Sequence, residues 1–265
     1  MELGLRNRVA IVCAASQGLG RAAAAGFARE GAHVVICSRD SRRLAAAAKE
    51  LQAEAAEGAR VLPVAADLTK PAHIRRLFRT ALRAFHRIDI LVTNAGGPPV
   101  AGFPDLDDGD WRRGIDLNLM STIRCIREAL PVMQKQHWGR IINITSLTAK
   151  QPVDDLVISS TVRPGILGLS KVLANQYTRE GILINSVAPG FMLTARQQEI
   201  GRARAKAMGI TPAEYIENMG KGIPAGRLGN PDELASVIVF LGSERASYIS
   251  GTTVNVDGSF MKGII

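Results

Sequence analysis

Short apolar runs alternate with longer amphipathic stretches from one end of the chain to the other. Arg8–Cys13, His33–Cys37, Val61–Val64, Ile88–Val92, Arg140–Ile144, Ile182–Val187 and Thr252–Val256 are rich in Val, Ile and Leu. They are too short for helices and predict strands. Between them, apolar positions recur at helical spacing. Gly18–Glu30 predicts an Ala-rich helix, and Ser41 a cap for a helix running through Glu57 and closed by Gly58. Pro71–Phe85 and Pro231–Leu241 each begin on a proline, which a first helical turn tolerates. Leu106–Gln136 predicts a long helical stretch, uneven near Gly109 and Gly114; Arg163–Arg179 and the excursion Ala195–Gly220 predict further helix. Strands that are apolar throughout are buried on both faces. Their alternation with helices predicts an α/β fold, a doubly wound parallel sheet of about seven strands with helices on both faces. No linker or shift of composition divides the chain, so residues 1–265 are one predicted domain, with a helical excursion at about 191–222.

Composition narrows the class. Of 265 residues, 46% are hydrophobic and 22% charged, enough to bury a core without disulfide or metal staples. No apolar run reaches the roughly 18 residues of a membrane helix, and Met1–Arg8 lacks the apolar stretch of a secretory signal. Cys13, Cys37 and Cys125 are widely spaced, without metal-ligand or disulfide patterning, so a cytoplasmic protein with no metal is expected. The net charge of +9 raises the question of nucleic acid. The charges are scattered, though, and Arg42–Arg43, Arg75–Arg76 and Arg202–Lys206 fall in predicted helix. Aromatic residues are 5%, too few for a base-stacking platform. No nucleic-acid or membrane partner is expected, and the positive balance suits a phosphorylated small molecule.

Ligands of such sheets bind beyond the carboxyl ends of the strands. After the first strand comes Cys13-Ala14-Ala15-Ser16-Gln17-Gly18-Leu19-Gly20. Ser16, Gln17, Gly18, Leu19 and Gly20 open a helix there; small residues would let backbone approach a pyrophosphate, and the helix N-terminus would attract its charge. Tight helix packing is the alternative reason for the glycines. The second strand ends at Ser38-Arg39-Asp40. An acid ending this strand would hold a ribose 2′-hydroxyl, whereas the Arg39 fork suits a 2′-phosphate; the plainer reading is a surface arginine. Asp67 and Leu68 follow the third strand, and Asp67 suits either an adenine amino group or the cap of the Pro71 helix. Asn94, Ala95 and Gly96 follow the fourth, small enough for a cofactor to pass closely.

Further pieces are Asn118 in Asp116-Leu117-Asn118-Leu119, Ile144-Thr145-Ser146, Asn185-Ser186-Val187-Ala188-Pro189-Gly190, and Ser250-Gly251 through Val256-Asp257-Gly258. In order and spacing, over essentially the whole chain, these resemble the short-chain dehydrogenase/reductase family, in its 3-oxoacyl-carrier-protein-reductase-like branch. The resemblance implies a Rossmann-type domain and an NAD(P)-dependent oxidoreductase that passes hydride between nicotinamide and a small carbonyl or alcohol substrate. Arg39 points within that reading to NADP(H) over NAD(H). The resemblance also implies that Pro189, Gly190 and Thr194 lie beside the nicotinamide, that Asn118 holds a kink in its helix, and that Ser146 hydrogen-bonds the reacting oxygen. For Ser146, local satisfaction at a strand end is the alternative. The 191–222 excursion would cover the substrate. A homotetramer or homodimer is implied too, with the apolar Phe260–Ile265 segment covered by a partner.

The chain departs from the family where proton transfer is expected. A tyrosine followed four positions later by a lysine is the family's acid/base pair. Counting from Ser146, and back from Gly168-Leu169-Ser170-Lys171, those positions hold Ser159 and Arg163. No tyrosine precedes Tyr177. Serine is a far weaker acid, and arginine keeps its proton near neutral pH. Tyr215 is a conceivable substitute acid. Pro164 predicts a helix starting late, near Arg163, with Ser160 or Thr161 as cap. Ala14 replaces the usual first glycine, which matters only if its φ must be positive. Two functions follow: an oxidoreductase with a non-standard proton source, or a nucleotide-binding pseudoenzyme acting as sensor or assembly subunit.

Overall fold

Strand β1 (Val9–Val12) shows how the apolar runs are used. All four residues are buried, Ala10 and Val12 against one face of the sheet and Val9 and Ile11 against the other, the two-residue period of extended backbone. β2 (His33–Ser38), β3 (Val61–Ala65), β4 (Ile90–Thr93), β5 (Gly139–Ile144), β6 (Ile182–Pro189) and β7 (Thr253–Val256) complete a seven-stranded sheet in the order β3-β2-β1-β4-β5-β6-β7. Every neighbouring pair is parallel. The structure, a computed structural model, describes residues 2–264.

The helices are α1 (Gly18–Arg29), α2 (Ser41–Glu54), α3 (Pro71–Phe85), α4 (Asp108–Gly114), α5 (Ser121–Gln136), α6 (Val157–Tyr177), α7 (Ala195–Met208), α8 (Pro212–Lys221) and α9 (Pro231–Leu241). Side chains of α1, α2 and α9 build the core on one face of the sheet, and those of α3, α5 and α6 the core on the other. Cys13, Cys37 and Cys125 are buried free thiols, with the Sγ atoms of Cys13 and Cys125 4.0 Å apart. The hydrogen bond to Cys125, together with burial, pushes the Cys13 thiol well above its ordinary pKa. No helix among the described residues is long and apolar enough to cross a membrane.

Several expected boundaries move. Asp40, not Ser41, caps α2, because its carboxylate accepts from Arg43 N at 3.0 Å, and the helix stops at Glu54 where Ala55 turns extended. Asp67 does not cap the Pro71 helix: Lys70 stands at that position, and Asp67 Oδ1 instead accepts from the N–H and hydroxyl of Thr69 at 3.0 and 2.8 Å. The long helix is interrupted not at Gly109 but immediately after Gly114, by a π-helical turn at Ile115–Met120. The excursion divides into α7 and α8, separated by Gly209, whose φ is +67°.

The largest correction concerns α6. It begins at Val157, well before Arg163, and carries Pro164 in its interior. Neither Ser160 nor Thr161 caps it: Ser160 Oγ accepts from Val153 N at 3.3 Å, and Thr161 Oγ1 donates to the Val157 carbonyl at 2.9 Å. An interior proline costs about 3 kcal/mol. Tertiary structure offsets this, since Ile158, Val162, Ile166 and Ser170 are buried along one side of the helix. A buried polar chain adds to it. Thr93 Oγ1 donates to Asn143 Oδ1 at 2.6 Å, Asn143 Nδ2 donates to Ser170 Oγ at 2.9 Å, and Ser170 meets Ser186 at 3.1 Å. Three strands and the helix are thereby tied together.

Candidate active site

The carboxyl ends of the strands, where strand order reverses between β1 and β4, open into a cleft of about 840 Å³. Its first wall is the turn from β1 into α1. Ala14 sits there with φ +47°, a left-handed conformation that costs an L residue about 1–2 kcal/mol. The positive φ that the family's glycine would supply is therefore required here. Ser16, Gln17, Gly18 and Leu19 face the cleft. Gly20 lies behind the turn, where a Cβ would come within 2.6 Å of the Ala14 carbonyl oxygen and 2.9 Å of Asn94 Nδ2. Its role is packing, and through packing the shape of the turn. Asn94 Nδ2 reaches the same carbonyl at 3.4 Å. No side chain caps α1, and its first turn holds no acid; its leading N–H groups are left for a ligand.

The ends of β2 and β3 form the second part. Arg39, Asp67 and Leu68 line the cleft, as do Asn94, Ala95 and Gly96 from the end of β4. Asp40 is committed elsewhere: besides capping α2, it holds Arg43 Nε at 3.1 Å. Those bonds from Arg43 keep its carboxyl below the usual range. Arg43 Nη1 reaches Gln17 Oε1 at 3.4 Å, so a second guanidinium joins Arg39. Sequence reading passed over Arg43 because it lies inside the predicted α2. Burial raises the Asp67 carboxyl, but the Thr69 bonds outweigh it and leave the pKa below its ordinary value.

The inner part collects hydroxyls around a cation. Ser159 and Arg163, one turn apart on α6, are both buried yet both reach the cleft. Arg163 Nε donates to Ser159 Oγ at 3.0 Å, and Arg163 Nη1 donates to the Thr145 carbonyl at 2.7 Å. Thr148 Oγ1 meets Ser159 Oγ at 2.8 Å. Thr148 was missed from sequence; its only signal was a second hydroxyl two residues after Ser146. Ser146 Oγ accepts from Thr148 N at 3.2 Å, which leaves its own proton for the cleft it lines. Burial, with the nearby charge of Arg196, pulls the Arg163 pKa down to about 10. That still leaves the guanidinium charged at neutral pH.

Opposite stand Pro189, Gly190 and Thr194, all at the cleft. A Cβ on Gly190 would lie 2.7 Å from that of Asp257, so only glycine lets β6 leave the sheet this close to the segment after β7. Thr194 Oγ1 caps α7, accepting from Gln197 N at 3.2 Å. Asn118 lies outside the cleft, buried in the π-turn, where its Nδ2 donates to the Gly114 carbonyl at 3.2 Å. Tyr215 is not brought to the site. It is buried in α8, its phenol at 3.4 Å from Arg204 Nη1. Phe260 of the closing segment packs edge-on against Phe191 at 5.1 Å within the chain; Ile264 is exposed, and Ile265 lies outside the described residues.

A family model described as enoyl-(acyl carrier protein) reductase matches residues 13–260. The chain is 33% identical over 258 residues to 3-oxoacyl-[acyl-carrier-protein] reductase of Aquifex aeolicus, covering 97% of this chain and 99% of that one. It is 34% identical over 255 residues to dehydrogenase/reductase SDR family member 4 of Oryctolagus cuniculus, covering 96% and 94%. The chain belongs to the short-chain dehydrogenase/reductase family. Among solved structures, L-sorbose reductase from Gluconobacter frateurii, in complex with NADPH and L-sorbose, is similar at a TM-score of 0.96 and 33% identity over the whole of both chains. The matched span includes Ser159 and the buried Arg163.

Proposed function

We propose that this short-chain dehydrogenase/reductase is a cytoplasmic, NADP(H)-dependent oxidoreductase acting on a small carbonyl or alcohol substrate, with a non-standard proton source. The observation that carries the reading is that the Ser159–Arg163–Thr148 cluster and the uncapped start of α1 open into one cleft. The residues fit a dinucleotide phosphate. An uncapped helix of 12 residues and two guanidiniums, Arg39 and Arg43, offer donors and positive charge. Preference for the 2′-phosphate is supported by Arg39 and by the commitment of Asp40 to α2 and Arg43. Asp67, Leu68, Asn94, Ala95 and Gly96 would line the cofactor, and Pro189, Gly190 and Thr194 its nicotinamide end.

When bound, the nicotinamide supplies or accepts hydride at the substrate carbon. The protein's part is to hold the substrate oxygen and manage its proton. Ser146 donates to that oxygen. When Thr148 and Arg163 both donate to Ser159 Oγ, the Ser159 proton is free to point into the cleft. Arg163 keeps its own proton and stabilises negative charge developing on the oxygen. Asn118 acts from outside, by holding the π-turn beside α6. Without a positioned phenol, turnover is expected to fall about 10²–10⁴-fold. We further propose a homotetramer built on the α5 and α6 surfaces and the C-terminal strand, supported by exposed Val172 on α6; light scattering that returns a stable monomer would refute it.

The test pairs NADPH and NADH titration with turnover over a carbonyl panel. Tighter NADPH binding and slow turnover lost in Ser146→Ala are expected. Binding without turnover on any substrate would favour the pseudoenzyme, which the absent phenol and ammonium also support. No binding of either cofactor would defeat both readings and implicate Ala14.

A further inference from the structure

Four arginines line the cleft: Arg39, Arg43, Arg163 and Arg196. Its acidic lining residues, Asp40 and Asp67, both lie at the β2 and β3 ends, where Asp40 pairs with Arg43. The inner half therefore holds two guanidiniums and no lining carboxylate. Among the described residues neither Arg163 nor Arg196 has an acidic partner within 4.0 Å. An uncompensated cation in a buried position is costly unless something satisfies it. Arg163 spends Nε and Nη1 on Ser159 and Thr145. Among the described residues its Nη2 has no hydrogen-bond partner yet is not a buried orphan, and the residue lines the cleft, so that edge faces the cleft. Arg196, in the first turn of α7, donates to the Gly97 and Pro98 carbonyls at 3.3 and 3.4 Å, long bonds that a stronger acceptor would displace. It is close enough for its charge to act on Arg163.

We infer that the substrate carries its own carboxylate, held by Arg196 and the free edge of Arg163: an oxo acid, or the hydroxy acid it becomes. This rests on the oxidoreductase reading above. Val100, Leu147, Val153, Leu156, Phe191 and Ile200 supply apolar wall around the pair, which suits an aliphatic or aromatic body on the acid. The guanidinium and the Ser159 hydroxyl are one hydrogen bond apart. The carboxylate and the reacting carbonyl are therefore near neighbours, as in 2- and 3-oxo acids.

The experiment compares 2- and 3-oxo acids with their methyl esters, which keep the carbonyl and lose the charge. Binding is measured calorimetrically with and without NADPH, and turnover by NADPH oxidation. Acids should bind about 10- to 100-fold tighter than their esters, the effect of a charge-assisted pair. Arg196→Gln should bring acid and ester together, whereas Arg196→Lys, which keeps the charge, should retain part of the preference. Equal binding of acid and ester by the wild-type protein in both conditions overturns the proposal, as does a preference that survives Arg196→Gln. Failure to bind NADPH, with acid preference intact, counts against the cofactor reading and leaves the anion site standing. If Arg196→Gln and Arg196→Lys lose the acid preference equally, Arg196 only braces the Gly97–Pro98 loop, and its assignment as an anion ligand is overturned.

Discussion

Arg163 Nε donates to Ser159 Oγ from four positions further along the same helix. In the function proposed above, these two positions take the places of the family's tyrosine and lysine, which stand at the same separation. Because α6 starts at Val157, positions 159 and 163 share a face. The double variant Ser159→Tyr, Arg163→Lys should therefore gain carbonyl-reducing turnover of about 10²–10⁴-fold, read as NADPH oxidation over a ketone panel. No gain, with NADPH binding intact, would point to backbone displacement around Pro164.

Cofactor choice should depend on two arginines. Arg39→Ala is expected to weaken NADPH binding by about tenfold or more, the scale of a hydrogen bond to a charged group, and to leave NADH binding nearly unchanged. Arg43→Ala should add to the loss. Titrations of both cofactors decide the matter, and parallel losses for NADPH and NADH would count against a 2′-phosphate at this position.

Ala14 carries a positive φ. Ala14→Gly relieves about 1–2 kcal/mol of left-handed strain and gives back about 0.5–1 kcal/mol through a more flexible unfolded chain. A net gain of about 0.5–1 kcal/mol should raise Tm by a few degrees at most. Differential scanning fluorimetry is the check, with tighter NADPH binding as a second readout.

The buried charge of Arg163 gives a pH signature. Folding depresses this base to about 10. Above about 10 the folded chain releases a proton that the unfolded chain still holds, so stability from this group rises with pH there. Below about 10 both states hold the proton, and the penalty is fully present. Arg163→Met should thus stabilise the ligand-free protein at pH 7, by about 1 kcal/mol or more, while abolishing turnover. Its advantage should shrink as urea unfolding is repeated above pH 10. A destabilised Arg163→Met protein at pH 7 would show that the Thr145 and Ser159 bonds outweigh the burial cost.

The fold was legible because burial on both faces leaves a direct mark: Val9–Val12 and Ile182–Val187 have no polar alternation to confuse them with exposed strands. The cleft-facing turns were legible for the same reason, since each follows such a run. What stayed hidden depended on tertiary contacts. The start of α6 was misplaced because Pro164 argues locally for a late start, while the Asn143–Ser170–Ser186 chain that overrules it joins residues far apart. Arg43 and Thr148 were invisible because their importance comes from what they touch. Of the two partners considered for Asp67, the helix cap gave way to a local one, Thr69, two residues on. Tyr215 was considered because it lies in the excursion expected to cover the substrate, but α8 holds it away from the cleft.

The strand order also constrains how the molecule comes to exist. With every pairing parallel, the sheet contains no hairpin, and each contact must close a crossover. The central seam joins Ala10 to Ile90, a longer closure than any other pairing in the sheet, and such non-local closures slow folding. The cleft lies on that seam. A nascent chain can hold β1, α1 and β2 together early, but it has no floor for a ligand until β4 has been made and inserted. Ligand binding would thus require that the β1–β4 seam had closed, and a bound ligand would select chains that had passed this step over those that had not.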